Sequence, residues 1–131
     1  MNNFYNQIKT KLSEVKEVKF IDLQRGQMQA EEVSTPFPAV FVNLDSLINF
    51  RELSTKSELA TIEVVFQVCF MNQLGTDNVK NKELSSWLTL QKIWAKLQTL
   101  KFKRISLTKE NRNDFQVFNF KLSIAKHNLT I

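Results

Sequence analysis

Hydrophobic and polar residues alternate most regularly over residues 59–71. Ile62, Val64, Phe66, Val68 and Phe70 share one parity, and Thr61, Glu63, Val65, Gln67, Cys69 and Met71 share the other. A strand sends alternate side chains to opposite faces, so the first set predicts a core face. The second set predicts a mixed face, partly wet or covered by a partner. Residues 115–126 repeat the pattern, with Phe118, Phe120, Leu122 and Ile124 against Asn119, Lys121 and Ser123. Residues 101–108 alternate well enough for another strand. Asn111, Arg112, Asn113 and Asp114 between them are turn chemistry, so the last two strands read as a hairpin.

Two stretches carry a helical period instead. Phe4, Ile8, Leu12 and Val15 recur at spacings of four, four and three, which predicts an amphipathic helix over about residues 3–16. Its stripe is narrow, as expected for a helix docked on a sheet. Over residues 84–100, Trp87, Leu90, Ile93, Trp94, Leu97 and Leu100 fall within one wide arc at about 100° per residue. The tryptophans lie along one helical line and are expected to dock on the sheet. Leu84 and Leu88 lie off the arc as surplus apolar surface.

Two shorter strands complete the set. Residues 18–23 form one candidate, followed by a polar stretch from 24 to 35. Pro36 and Pro38 then force extended geometry into Ala39, Val40, Phe41, Val42, Asn43 and Leu44, an apolar run that reads as a strand buried on both faces. Residues 45–57 read as a long connection whose Leu47, Ile48 and Phe50 argue against a solvated tip. Residues 72–81 read as a loop around Gly75 and Asp77. The sum is an α+β domain of order α-β-β-β-α-β-β. It has a largely antiparallel sheet of about five strands, two helices on one face, and no covering element for the other face.

The chain has 131 residues, enough for one domain over residues 1–131, with no linker or repeat dividing it. Only Gly26 and Gly75 are glycines, which excludes a Gly-rich phosphate loop. One cysteine, Cys69, excludes an intrachain disulfide and thiolate-rich metal sites, and one histidine, His127, excludes two-histidine metal motifs. Residues 1–6 lack the basic start and apolar run of a signal peptide, and no apolar run approaches membrane-spanning length. The expectation is a reducing cytoplasm.

The net charge of +5 is uneven: −2 over residues 1–65 and +7 over residues 66–131. Such asymmetry fits a nucleic-acid surface, complementary faces on a self-assembling subunit, or a lysine-rich solvated surface. The densest cationic stretch is Lys101, Lys103, Arg104, Lys109 and Arg112. If it is a strand, Lys101 and Lys103 share a face opposite Arg104. Phe102 alone interleaves it, whereas single-strand binders set aromatic platforms beside their cations.

No constellation supports catalysis. His127 has no positioned partner, and Cys69 sits mid-strand, away from the helix N-terminus or cations that make a thiolate. Glu31 and Glu32 project apart in an extended chain, with Asp22 the nearest other carboxylate. The expectation is no enzyme, metal or cofactor.

The element order resembles the tail-terminator and tail-completion proteins of long-tailed bacteriophages and prophages. The likeness rests on an opening helix with Phe4, Ile8 and Leu12, and on the proline-led entry Pro36, Phe37, Pro38 into Ala39, Val40, Phe41 and Val42. The long strand from Thr61 to Val68, the helix from Trp87 to Leu100 and a closing hairpin complete it. It spans roughly residues 4–126. The resemblance implies a non-enzymatic subunit that self-associates into a ring, commonly a hexamer. The ring would dock on the tail tube or on head–tail connector proteins, in the bacterial cytoplasm during assembly and then in the virion tail. Interface candidates are Leu47, Ile48, Phe50, Leu84 and Leu88. The reading from a different class is a small basic nucleic-acid-binding domain using the second-half cations. Neither reading involves a membrane.

Overall fold

The computed structural model describes residues 2–25, 36–44, 48–54, 57–71, 79–112 and 115–127. For residues 2, 79–84, 111, 112 and 127 the description covers the backbone alone. The described order is α1 (Asn2–Ser13), β1 (Phe20–Leu23), β2 (Ala39–Asn43), β3 (Ile48–Ser54), β4 (Ser57–Met71), α2 (Val79–Thr99), β5 (Lys103–Arg112) and β6 (Phe115–His127). The class is α+β with six strands rather than about five. The sheet runs β1-β2-β4-β6-β5, and β3 pairs with β4 alone.

The fifteen residues of β4 organise the sheet. Its residues 59–71 pair antiparallel with β6, from Leu59 opposite His127 to Met71 opposite Phe115. Its other edge is shared. Residues 57–62 take β3, and residues 65–69 take β2. The β5–β6 hairpin forms, but Asn111 and Arg112, expected in the turn, are the last residues of β5, paired with Gln116 and Phe115, and residues 113–114 lie outside the described residues. β1 and β2 are the one parallel pair, extended by Lys19 N–H to Pro38 O and Gln24 N–H to Val42 O.

The expected connection at residues 45–57 is corrected. Residues 48–54 are strand β3, the outer arm of a hairpin with β4. Six of its seven residues are exposed, so no buried face marks it as a strand.

The helix-side core is the one the alternation predicts. Ile62, Val64, Phe66, Val68 and Phe70 of β4 lie under Ile8 and Leu12 of α1 and Leu90, Ile93 and Leu97 of α2. α1 stops at Ser13, three residues early. Val15 still reaches the core from a turn in which its N–H bonds to Leu12 O. Trp87 and Trp94 dock on the sheet edge-on to Phe118 and Phe120, at 5.4 and 5.7 Å between centroids.

The opposite face is not bare, which corrects the expectation of an uncovered sheet. At one end Phe41, Cys69, Ala39 and Val117 form a second buried cluster, flanked by Phe20, Phe37 and Phe115. Phe37 and Phe115 stack at 5.0 Å across it. This explains why the β2 run reads as buried on both faces. Its even members enter the main core and its odd members this one.

Lys101 lies in the turn after α2, outside β5, so it shares no strand face with Lys103. Its φ of 76° places it in the left-handed region, closing the helix with its N–H bonded to Gln98 O. Glycine is the usual residue at this position because a Cβ there is strained.

Lys101→Gly is therefore expected to raise stability by roughly 0.5–1 kcal/mol in urea unfolding. Phe66→Ala, at a fully buried site edge-on to Phe102, is expected to lower it by about 3–5 kcal/mol by the same measurement.

Candidate interaction surfaces

Charge distribution decides which surfaces are available. Several carboxylates of the first half are already bound to lysines of the second. Lys92 donates to Glu17, Lys96 lies 3.8 Å from Glu14, and Lys121 lies 3.2 Å from Glu63. The first two tie α2 to the turn that follows α1. Part of the asymmetry along the chain is thus internal complementarity. The hydrogen bond from Lys92 holds the Glu17 carboxyl below its ordinary range.

The cations of β5 are arranged differently. Arg104 lies over the Trp94 ring at 5.1 Å, and Lys109 over Phe118 at 5.7 Å. The register sets both opposite core residues of β6, Leu122 and Phe118, with Leu107 between them opposite Phe120. Arg104, Leu107 and Lys109 therefore form one row on the helix side of an edge strand. Lys103 pairs with Ser123 and points to the other face, so the expected opposition of Lys103 and Arg104 holds. Among the described residues, no carboxylate pairs with Lys103, Arg104 or Lys109.

A bulge between Arg104 and Ser106 leaves Ile105 unpaired and half exposed. The cations and the bulge are common devices that keep an exposed edge from pairing with another copy of itself. Of the rings beneath the cations Phe118 is buried and Trp94 is partly buried, each already covered by its cation, while Trp87 beside Phe118 is 45% exposed.

The second surface is the β3–β4 hairpin. Ile48 packs against the main core, but Phe50 is 47% exposed. Leu53 sits at the bulge between Glu52 and Ser54 and is 46% exposed. Of the other interface candidates, Leu88 on α2 is 57% exposed. Leu47 lies outside the described residues, as do the side chains of Leu84 and Arg112. Leu53 is absent from the sequence-derived set. An apolar residue among Arg51, Glu52 and Ser54 in a chain region without alternation carries no signal of its own.

Among the described residues the structure brings no candidate chemistry together, and Glu31, Glu32 and the His127 side chain lie outside them. Cys69 is buried in the second cluster with its thiol toward Gln67 O. Among the described residues, no three His, Cys, Asp or Glu side chains converge as metal ligands, and no helix is long and apolar enough to cross a membrane. A shallow groove bounded by Lys16, Glu17, Lys19, Pro38, Phe70 and Thr89 is open to solvent along its length.

No family model and no curated protein matches the chain.

The Glu17–Lys92 contact sets a pH dependence. A carboxyl held low in the fold adds stability above its ordinary pKa, and that contribution disappears as pH falls through the lowered value. Glu17→Gln is expected to flatten the acid limb of the stability curve slightly, measured by thermal unfolding between about pH 3 and 6. Because the pair is exposed, the change should shrink further in high salt.

Proposed function

We propose that this chain is a structural assembly subunit of the phage tail-terminator or tail-completion kind. It acts without catalysis, by self-association into a ring that docks on a tail tube or head connector. The observation that carries the reading is the β3–β4 hairpin. Its backbone is paired, yet it presents Phe50 and Leu53 to solvent at one border of the sheet. Exposed aromatic and aliphatic residues on a projecting element are a common mark of a protein contact. A second exposed apolar residue, Leu88, stands on α2, a different element. Two unlike surfaces suit a head-to-tail contact, which closes into a ring when the rotation divides a full turn. The resemblance in element order supplies the tail-assembly context. In that context the protein works in the bacterial cytoplasm during assembly and remains in the virion tail.

The nucleic-acid reading has less support. Its cations already sit on Trp94 and Phe118, Phe118 is buried, and Trp87 alone of the aromatics on that side is substantially exposed among the described residues, which falls short of a row of platforms for successive bases.

Phe50→Glu combined with Leu53→Glu tests the reading, because both side chains are exposed and the fold should survive. Light scattering after gel filtration is expected to give a discrete multiple of 15.3 kDa for the parent chain and a monomer for the variant. Thermal unfolding should be nearly unchanged. Assembly that survives the double substitution would remove the hairpin from the contact. A steep loss of DNA affinity with salt, without assembly, would favour the nucleic-acid reading instead.

A further inference from the structure

We propose that the unpaired edge of β5 captures an extended acidic segment of a partner protein as an added strand. The acidic side chains of that strand would lie against Arg104 and Lys109. This inference is independent of the ring reading.

Three observations converge on the edge. First, β5 is ten residues long and among the described residues bonds to β6 alone, so the outer backbone groups on the C-terminal side of its bulge form a template for one more strand. Second, the row Arg104, Leu107, Lys109 sets an exposed aliphatic between two cations, fixed in place by pairing with Leu122, Phe120 and Phe118. Among the described residues neither cation has a carboxylate, whereas Lys92, Lys96 and Lys121 each have one. Third, on the other face Ser106 and Thr108 stand opposite Lys121 and Asn119, a polar row that tolerates small hydroxyl neighbours.

The complement of this edge is legible in its spacing. An added strand places every second side chain beside Arg104, Leu107 and Lys109, so the fitting sequence is acid, apolar, acid at alternate positions. Hydroxyl residues would fill the positions between. The cations that repel a second β5 edge attract this segment, so one set of side chains gives both rejection and selection. Arg104 and Lys109 rest over Trp94 and Phe118, inward of the free edge, and swing outward to meet the carboxylates of the added strand. An acidic peptide uses the edge's backbone groups as well as its cations, whereas bases would find Phe118 and Phe120 buried and Trp87 alone substantially exposed among the described aromatics of that side.

The test uses a labelled synthetic peptide of about ten residues centred on glutamate-threonine-valine-threonine-glutamate. Its counterpart replaces both glutamates with lysine, and oligothymidylate is the third probe. Fluorescence anisotropy should show saturable binding of the acidic peptide, with the lysine peptide weaker by about tenfold or more. Arg104→Glu with Lys109→Glu should reverse that preference. Hydrogen exchange should show new protection at alternate amides of β5, the signature of an added strand. Absence of saturable binding overturns the proposal. Equal binding of both peptides, tighter binding of oligothymidylate, or protection outside β5 would do the same. If the double charge reversal instead dissolves assembly of the chain itself, the occupant is a second copy and the acidic-partner assignment fails.

Discussion

Strand β4 is the constraint on which the structure depends. Its even residues from Ile62 to Phe70 carry the main core, and along its length it bonds to β6, β2 and β3. Both helices are held because their apolar stripes meet this face and that of β6. Burial of apolar area at about 25 cal/mol per Å² makes such a face the main source of stability in a small domain. The edge-on rings of Phe66 with Phe102 and Phe70 with Phe118 fix the packing more narrowly than aliphatic contacts alone.

The same strand also decides what is left exposed. β2 occupies one half of its outer edge and continues into β1, while β3 occupies the other half and, among the described residues, has no strand beyond it. No described helix lies above the outer part of the β3–β4 arm, where six of the seven β3 residues are exposed. At the opposite border β5 lies beyond the Trp87–Trp94 line, and all its described side chains are exposed. Two borders of one sheet thus differ in character. One presents Phe50 and Leu53. The other presents cations seated on aromatic rings. A subunit with unlike borders is suited to directional contacts, and a symmetric pair would not use both.

Legibility in the sequence followed burial asymmetry. The alternation in β4 and β6 and the arc of α2 were readable because one side of each element is buried and the other is wet. β3 was not, because neither of its faces is buried and no Gly, Asn or Pro marks its turn. The parallel pairing of β1 with β2 was hidden by the polar stretch between them, since nothing in residues 24–35 states the direction of return. The second cluster was half visible. The β2 run announced burial on both faces, but Phe20, Phe37 and Phe115 come from three separate segments, and only the fold brings them over Phe41. The charge asymmetry was visible as a number, while its partial cancellation through Glu14, Glu17 and Glu63 needed the structure. Of the candidate surface residues, Phe50 and Leu88 emerge exposed as apolar surplus, Ile48 is drawn into the core, and Lys101 is a helix terminator.

We propose that copies of this chain associate through the exposed hairpin border in one closed number. Native mass spectrometry over a wide concentration range counts subunits directly. The account predicts one dominant species at an integer multiple of 15.3 kDa, with no ladder of larger forms. A monomer at every concentration, or an open ladder without a preferred number, would contradict it.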